Sequence, residues 1–412
     1  MGENHQKEQQ SNGTSLALLI SLTLAAGLYR NGFPAIYPFL QAEFEVSRAV
    51  MGLYTSFLYL VAAGLAVFSG WIADQLGAKR GILLGMGSLS LLIMMHALAP
   101  TYLLILALAA LSGIGFSIIS PGASKAVTDL FPATSRGTPM GLLFMGWSIG
   151  GVAGAALLPL FASHLGWRWA AVLMGGFMLI TITIFFIYFR DRSEPSSEIE
   201  PGMRLASLRE GFVDLLTNPQ IRLLCLGALI LGSVSGTLAT HYTLFVHLDY
   251  QYTKAFAGVG FAFLHAGSIL GRPAWGWIND RLLAGREDLG FLFINLMNAA
   301  AFLVFALIYR MPAVPAAGVI LAITFVAGFS TRGWPGVLFS AVSKQANKAK
   351  AGMALGLALV FLRLGVTLAP PVFGYIADIT GTYEVSWFLM SAFGLLSGIG
   401  FFLAGRQNAK KT

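Results

Sequence analysis

Five basic side chains lie within long apolar stretches of this 412-residue sequence: Arg30, Lys125, Arg272, Arg332 and Arg363. A Lys or Arg at the centre of a membrane-spanning helix costs about 2.5–3.5 kcal/mol on insertion scales. No Asp or Glu lies deep in any apolar stretch to neutralise them. Cations in a cavity attract anions, and the planar fork of arginine suits carboxylate or phosphate. These residues therefore predict an anion-binding site.

A second interpretation assigns the arginines a structural role at breaks in the helices. Arg332 is flanked by Gly333 and Pro335, so it could bond to backbone carbonyls that a helix break frees. Lys125 and Arg272 fall within about two turns of a predicted membrane face, which long side chains can reach. Arg272 is thus either a cavity residue or an anchor, and Lys125 is better explained as an anchor.

Helical spacing places hydroxyl groups beside two of the arginines. Tyr37 shares a predicted helix face with Arg30, and Thr367 shares one with Arg363. Tyr37 could equally belong to an interfacial aromatic belt. The predicted substrate-binding residues are accordingly Arg30, Tyr37, Arg272, Arg332, Arg363 and Thr367.

Two histidines within apolar stretches are candidates for proton coupling. Histidine changes charge near neutral pH, and His241 and His265 are predicted to be buried. A core histidine with satisfied hydrogen bonds is the competing interpretation for both. An anion exchanger would need neither residue, so proton symport and exchange both remain open.

Composition indicates an integral membrane protein. Hydrophobic residues make up 56% and charged residues 11% of the chain, whereas soluble domains carry about 25% charged residues. The net charge of +8 is spread along the chain, so a nucleic-acid partner is not expected. A single cysteine, Cys225, excludes an intrachain disulfide. No cofactor motif, zinc-ligand spacing or catalytic triad is present, so we expect neither a cofactor nor an enzyme.

Apolar stretches predict twelve spanning helices, since a membrane helix needs about 20 apolar residues. Their limits are 15–40, 50–73, 81–99, 102–127, 138–162, 168–189, 220–248, 254–278, 289–309, 314–342, 352–377 and 385–405. The predicted domains are a tail (1–14), a six-helix bundle (15–190), a linker (191–219), a second bundle (220–405) and a tail (406–412). The first helix is expected to be retained rather than cleaved as a signal peptide. The Lys and Arg bias predicts that both termini are cytoplasmic, with the inner membrane of a bacterium as the expected location.

Matching segments in the two predicted bundles indicate an internal repeat. Gly70–Leu76 (GWIADQL) matches Gly276–Leu282 (GWINDRL), and the triplet GFS occurs at both Gly115 and Gly328. Parallel repeats of this kind place a substrate site near the membrane midplane between them.

The segment Gly70–Gly81 (GWIADQLGAKRG) resembles the loop signature of the major facilitator superfamily of secondary transporters. The resemblance implies twelve helices in two pseudo-symmetric bundles that rock around a central site. Asp74 lies at a predicted inner helix end, where a carboxylate that faces a helix N-terminus could form a conformational latch. The alternative is a solvated turn whose charges only anchor the topology. The candidate latch residues are Gly70, Asp74, Gly77, Lys79 and Arg80, with Asp280 and Arg281 from the second copy.

Phe33–Gly52 and Gly271–Asp280 resemble the monocarboxylate and oxalate–formate branches of that superfamily, whose substrate-facing arginine corresponds to Arg272. We therefore expect a monomeric transporter of small organic anions, most simply carboxylates, with protons as a candidate coupling ion. Two alternatives remain open. One is an exporter of drugs or amphiphiles, although helix five lacks the glycine–proline pair of exporters. The other is a membrane sensor that does not transport.

Overall fold

The computed structural model is all-helical over the residues it describes, which are 2–132, 136–190, 213–284, 286–308, 316–345 and 351–409. Eleven helical stretches in these ranges are long and apolar enough to cross a membrane. The α-helices, in chain order, are α1 (Gly2–Gly27), α2 (Tyr37–Phe44), α3 (Arg48–Gly64), α4 (Ala66–His96), α5 (Tyr102–Leu130), α6 (Gly137–Leu165), α7 (Trp167–Tyr188), α8 (Pro219–Leu248), α9 (Lys254–Trp277), α10 (Glu287–Ile308), α11 (Ala317–Thr331), α12 (Pro335–Gln345), α13 (Ala351–Thr380) and α14 (Glu384–Ala409).

The predicted span 50–73 differs from the observed helices. It falls on α3, which at 17 residues is shorter than each of the eleven membrane-length stretches, and on the start of α4. Inside α4 the helix is broken at Gly77, where φ is 78° and ψ is 162°. Side chains are strained at such a positive φ, so glycine suits this position. The break lies within the GWIADQLGAKRG signature and separates the predicted second and third helices.

The chain divides into two compact units. The first contains Met1–Phe44 and Phe57–Ile199, and the second contains Glu45–Ser56 and Glu200–Thr412. In the first unit α1 packs on α6, and α4 packs on α5 and α7. In the second, α8 packs on α13, α9 on α11 and α10 on α14.

Two glycines that stand 215 positions apart, Gly150 and Gly365, make similar contacts in the two units. In the first, a methyl group on Gly150 of α6 would overlap the carbonyl oxygen of Leu24 in α1. In the second, a methyl group on Gly365 of α13 would overlap the carbonyl oxygen of Leu229 in α8. Glycine at each position lets two helix backbones touch, which is how small residues act in membrane helix pairs. The α1–α6 and α8–α13 pairs are thus built by the same means.

Candidate anion-binding site

Arg30 lies in an irregular turn where the first spanning segment departs from α-helical geometry. A π-helical turn, Leu28–Gly32, follows α1, and a 3₁₀ turn, Phe33–Ile36, precedes α2. Such π turns in helices are frequent at functional sites. The neighbours Tyr29 and Asn31 are buried, whereas the Arg30 side chain is exposed. The turn therefore presents a single charged group.

Contacts between α1 and α6 fix the position of this turn. Asn31 Nδ2 donates a hydrogen bond to the carbonyl oxygen of Trp147 at 2.9 Å, and Thr23 Oγ1 donates one to the carbonyl oxygen of Leu143, also at 2.9 Å. Both bonds are buried, where hydrogen bonds are strongest and most costly to lose. The close approach at Gly150 holds the two helices together between them.

Three aromatic side chains surround Arg30, and we call Tyr59, Phe116 and Trp147 the aromatic box. Arg30 Nε donates a hydrogen bond to the Tyr59 hydroxyl oxygen at 3.1 Å. The guanidinium carbon lies 5.5 Å from the ring centroids of both Phe116 and Trp147. These two rings meet edge to face, with centroids 5.8 Å apart. Cation–π attraction and the Tyr59 hydroxyl together orient the guanidinium.

The aromatic box leaves the outer edge of the Arg30 guanidinium open. No described residue places a carboxylate within 4.0 Å of it, and no described group accepts a hydrogen bond from Nη1 or Nη2. Two parallel N–H groups on this edge match the two oxygens of a carboxylate, or two of the three oxygens of a sulfonate. A cation held by rings rather than by an acid keeps its charge available to an anion.

Tyr37 does not share the exposed face of Arg30, which corrects the predicted grouping. It is 2% exposed and packs edge-on against Phe33, with ring centroids 6.1 Å apart. The π and 3₁₀ turns between Arg30 and Tyr37 replace the 3.6-residue period on which the prediction depended. Tyr37 is a packing residue of the first unit.

Arg332 occupies a genuine helix break in the second unit. Helix α11 ends at Thr331, and α12 begins at Pro335. The Thr331 carbonyl oxygen accepts a hydrogen bond from Ser235 Oγ at 3.0 Å, and Trp334 Nε1 donates one to Ser235 Oγ at 3.4 Å. The break predicted from Gly333 and Pro335 is thus observed, and α8 supplies a donor for the Thr331 carbonyl.

The remaining predicted substrate-binding residues also lie in the second unit. Arg272 on α9 and Arg363 on α13 are half-buried. Thr367 is buried, and its carbonyl oxygen accepts a hydrogen bond from Ser56 Oγ at 2.5 Å. Arg30 belongs to the first unit, so its sharing of one anion with these residues stays a prediction.

Both candidate histidines are buried in the second unit. His241 Nε2 lies 2.8 Å from the Pro370 carbonyl oxygen, which can only accept, so Nε2 carries the proton. Its Nδ1 then accepts a hydrogen bond from the Tyr383 hydroxyl at 3.0 Å. His265 is 2% exposed and meets Phe261 edge to face at 4.7 Å. His241 therefore has partners for both ring nitrogens, as a core histidine would.

The predicted latch residues lie around the break in α4 and just after α9. Gly70 lies in α4, the Asp74 side chain lies outside the described part of the chain, and Gly77 forms the break in α4. Lys79 Nζ donates a hydrogen bond to the Phe189 carbonyl oxygen at 2.6 Å, at the C-terminal end of α7, where a cation is favoured. The side chains of Arg80, Asp280 and Arg281 are exposed. A latch at this motif stays a prediction.

A polar cluster in the second unit was not predicted from the sequence. It comprises Arg48, Asp249, Asp378 and Tyr383, and we call it the Arg48 cluster. The Asp378 carboxylate accepts hydrogen bonds from the backbone N–H groups of Arg48 and Ala49, both at 2.9 Å. Arg48 Nη2 lies 3.8 Å from Asp249 Oδ1, and its guanidinium carbon lies 5.0 Å from the Tyr383 ring centroid. The cluster joins the start of α3 to the ends of α8 and α13.

Sequence reasoning also missed the aromatic box, although signals for two of its members existed. Phe116 belongs to the GFS triplet that recurs at Gly328, and Trp147 lies in the glycine-rich stretch of α6. Tyr59 carries no comparable signal, because aromatic residues are common in apolar helices.

Comparison with known proteins identifies the class. The model of the Major Facilitator Superfamily matches residues 19–361. The chain is 23% identical over 406 residues to the probable sulfoacetate transporter SauU of Cupriavidus necator, covering 93% of this chain and 91% of that protein. It is 24% identical over 377 residues to the membrane sensor protein UhpC of Escherichia coli, covering 85% and 83%. Identity to monocarboxylate transporter 13 of Bos taurus is 25% over 353 residues, covering 83% and 78%.

A solved structure shares the fold. It is that of a bacterial homologue of the human lysosomal transporter Spinster, with a TM-score of 0.78, 18% identity and coverage of 97% of this chain and 98% of that one. The chain belongs to the Major Facilitator Superfamily. It is a multi-pass integral membrane protein of a transporter family, not an enzyme, and its distant homologues include monocarboxylate transporters.

Proposed function

We propose that this secondary transporter carries small organic anions bearing a carboxylate or sulfonate group. The observation that carries the proposal is the Arg30 guanidinium, held by the aromatic box with its Nη edge open. An arginine is costly to place inside a membrane protein, and an anion that pairs with it offsets that cost. The names of the relatives, a sulfoacetate transporter and a monocarboxylate transporter, support the same chemical class.

The half-buried arginines of the second unit extend the proposal. Arg272, Arg332 and Arg363 contribute further positive charge, with Arg363 and Arg30 as the main anchors for the anion. Transport is coupled either to protons or to the exchange of a second anion. The protein acts as a monomer in the inner membrane with both termini in the cytoplasm.

Uptake into proteoliposomes tests the proposal. The panel contains acetate, lactate, succinate, sulfoacetate, glucose 6-phosphate, inorganic phosphate and the lipophilic cation tetraphenylphosphonium, each with and without a pH gradient. We expect uptake of a carboxylate or sulfonate, near-complete loss in Arg30→Gln and Arg363→Gln, and partial retention in Arg30→Lys, which keeps the charge without the fork. The matched control is Arg286→Gln, an exposed arginine paired with Asp288. Normal anion uptake by both glutamine variants would refute the cationic site.

A second candidate is an anion sensor that does not transport, because one relative is named a membrane sensor. The same panel separates the two. Under this alternative an anion that raises the melting temperature of the wild type, and not of Arg30→Gln, would produce no uptake.

A further inference from the structure

The Arg48 cluster holds two carboxylates for one guanidinium, and the two acids are satisfied unequally. Asp378 faces the N-terminus of α3, where both of its oxygens accept backbone N–H bonds. The positive end of the helix dipole favours the charged form of a carboxylate there. Both Asp378 oxygens therefore have hydrogen-bond donors without the Arg48 side chain.

The Arg48 side chain directs its hydrogen bonds elsewhere than to Asp249. Its Nη1 donates to the Ala377 carbonyl oxygen and its Nη2 to the Gly381 carbonyl oxygen, both at 3.0 Å. Asp249 Oδ1 lies 3.8 Å from Nη2, beyond hydrogen-bond distance. The Asp249 carboxylate is 2% exposed, and its Oδ2 accepts a hydrogen bond from the Tyr383 backbone N–H at 2.7 Å.

The other titratable groups around Asp249 do not compensate its charge. Tyr250 donates its phenol hydrogen to the Phe305 carbonyl oxygen on α10, and the His247 ring bonds to the Tyr252 carbonyl oxygen. His241 on α8 accepts from the Tyr383 hydroxyl, as described above. Burying an ionised carboxylate costs free energy, and neither the single bond from Tyr383 nor the guanidinium at 3.8 Å fully offsets that cost, so Asp249 is protonated more easily than it would be in water.

We propose that Asp249 binds a proton when the segment Glu45–Ser56 packs against the rest of the second unit, so that protons stabilise this docked state. The proton comes from water and sits on Oδ1, while Oδ2 keeps the bond from Tyr383. The inference deepens the proposed transport function, on which it rests for its place in the cycle. On the predicted orientation this end of the molecule faces the outside, so external protons would favour docking there.

The direction of the pH dependence follows from the carboxyl group. Burial raises the pKa of Asp249 from 3.8 to about 6, with the Tyr383 N–H and Arg48 opposing the shift. When the segment undocks, water reaches the carboxyl and its pKa returns toward the ordinary value. Docking is therefore strongest below that ordinary value and weakens as pH rises through about 6. Between pH 5 and pH 8 the ratio of docked to undocked protein should fall about tenfold by linkage.

A fluorescence experiment tests this without an anion. Val50 and Tyr375 line one apolar groove with Pro371. The fluorophore bimane is attached to the cysteine of Val50→Cys in a Cys225→Ala background, and the tryptophan of Tyr375→Trp quenches it when the segment is docked. We expect quenching to fall as pH rises from 5 to 8. Asp249→Asn mimics the protonated carboxyl and should stay quenched throughout, whereas Asp378→Asn should be less quenched at every pH. Tyr375→Phe measures the response of the dye itself.

Two results would overturn the inference. One is that quenching in the labelled protein with Asp249 and Asp378 unchanged does not vary with pH. This measurement does not depend on whether a charge variant folds. The other is an unchanged pH response in folded Asp249→Asn, which would move the titration to a histidine. Because no anion is present, failure here leaves the proposed anion uptake untouched, and failed uptake leaves this result standing.

Discussion

Replacing Tyr59 by phenylalanine isolates the role of the aromatic box in orienting Arg30. The substitution removes one hydroxyl and keeps the ring that packs edge to face against Phe116 at 6.0 Å. Arg30 Nε then loses its acceptor, and the guanidinium can rotate between the two remaining rings. We expect weaker anion binding with an intact fold.

The size of the effect follows from the bond that is lost. A hydrogen bond to a charged group contributes about 1.5–3 kcal/mol, and the exposure of Arg30 favours the lower end. A loss of about 1.4 kcal/mol corresponds to a tenfold change in affinity. The anion concentration for half-maximal uptake should therefore rise about tenfold.

The assay is initial uptake into proteoliposomes across a range of anion concentrations. Tyr375→Phe, which changes an exposed tyrosine, is the matched control and should be unaffected. In an Arg30→Lys background the same Tyr59 change should cost much less, since lysine has no Nε group to orient. Half-saturation of Tyr59→Phe within twofold of wild type would refute the orienting role of the hydroxyl.

Three substitutions test the scaffold through melting temperatures in detergent. Gly150→Ala should lower the free energy of unfolding by about 1–3 kcal/mol, because the added methyl group overlaps α1. The control Gly176→Ala, whose added methyl group would meet nothing within 4 Å, should not lower it. Equal melting temperatures for the two variants would disprove the close contact. Ser235→Ala deprives the Thr331 carbonyl of a donor and should cost about 1–3 kcal/mol, so an unchanged melting temperature would argue against this bond. Ala284→Gly relieves a φ of 51° and should add about 0.5–1 kcal/mol; a loss of stability would contradict the strain.

Apolar periodicity and length were enough to predict the helical membrane fold. The signature GWIADQLGAKRG indicated a change of direction, and Gly77 supplies it. The helix break at Arg332 was also predictable, because glycine and proline flank it. The boundary between the two units at Ser56 and Phe57, inside the predicted second helix, could not be predicted, because nothing in the apolar sequence there marks it.

The site was less accessible to sequence reasoning. The free-energy cost of placing a charge in an apolar helix identifies Arg30 as a candidate, together with the other four basic residues in apolar stretches. Its aromatic partners come from three different helices, and Phe, Tyr and Trp are common in membrane helices. The error at Tyr37 has a physical cause, since a π turn is not visible in residue types.

Helix α3 carries both Arg48 and Tyr59, and a stiff rod of eleven residues spans about 16 Å. One end is tied by hydrogen bonds to Asp378, and the other holds the hydroxyl that steers Arg30. The helix therefore fixes the distance along its own axis between Arg48 and Tyr59. Replacing two adjacent residues in the middle of this helix by glycine would make it less stiff while keeping the register of both ends.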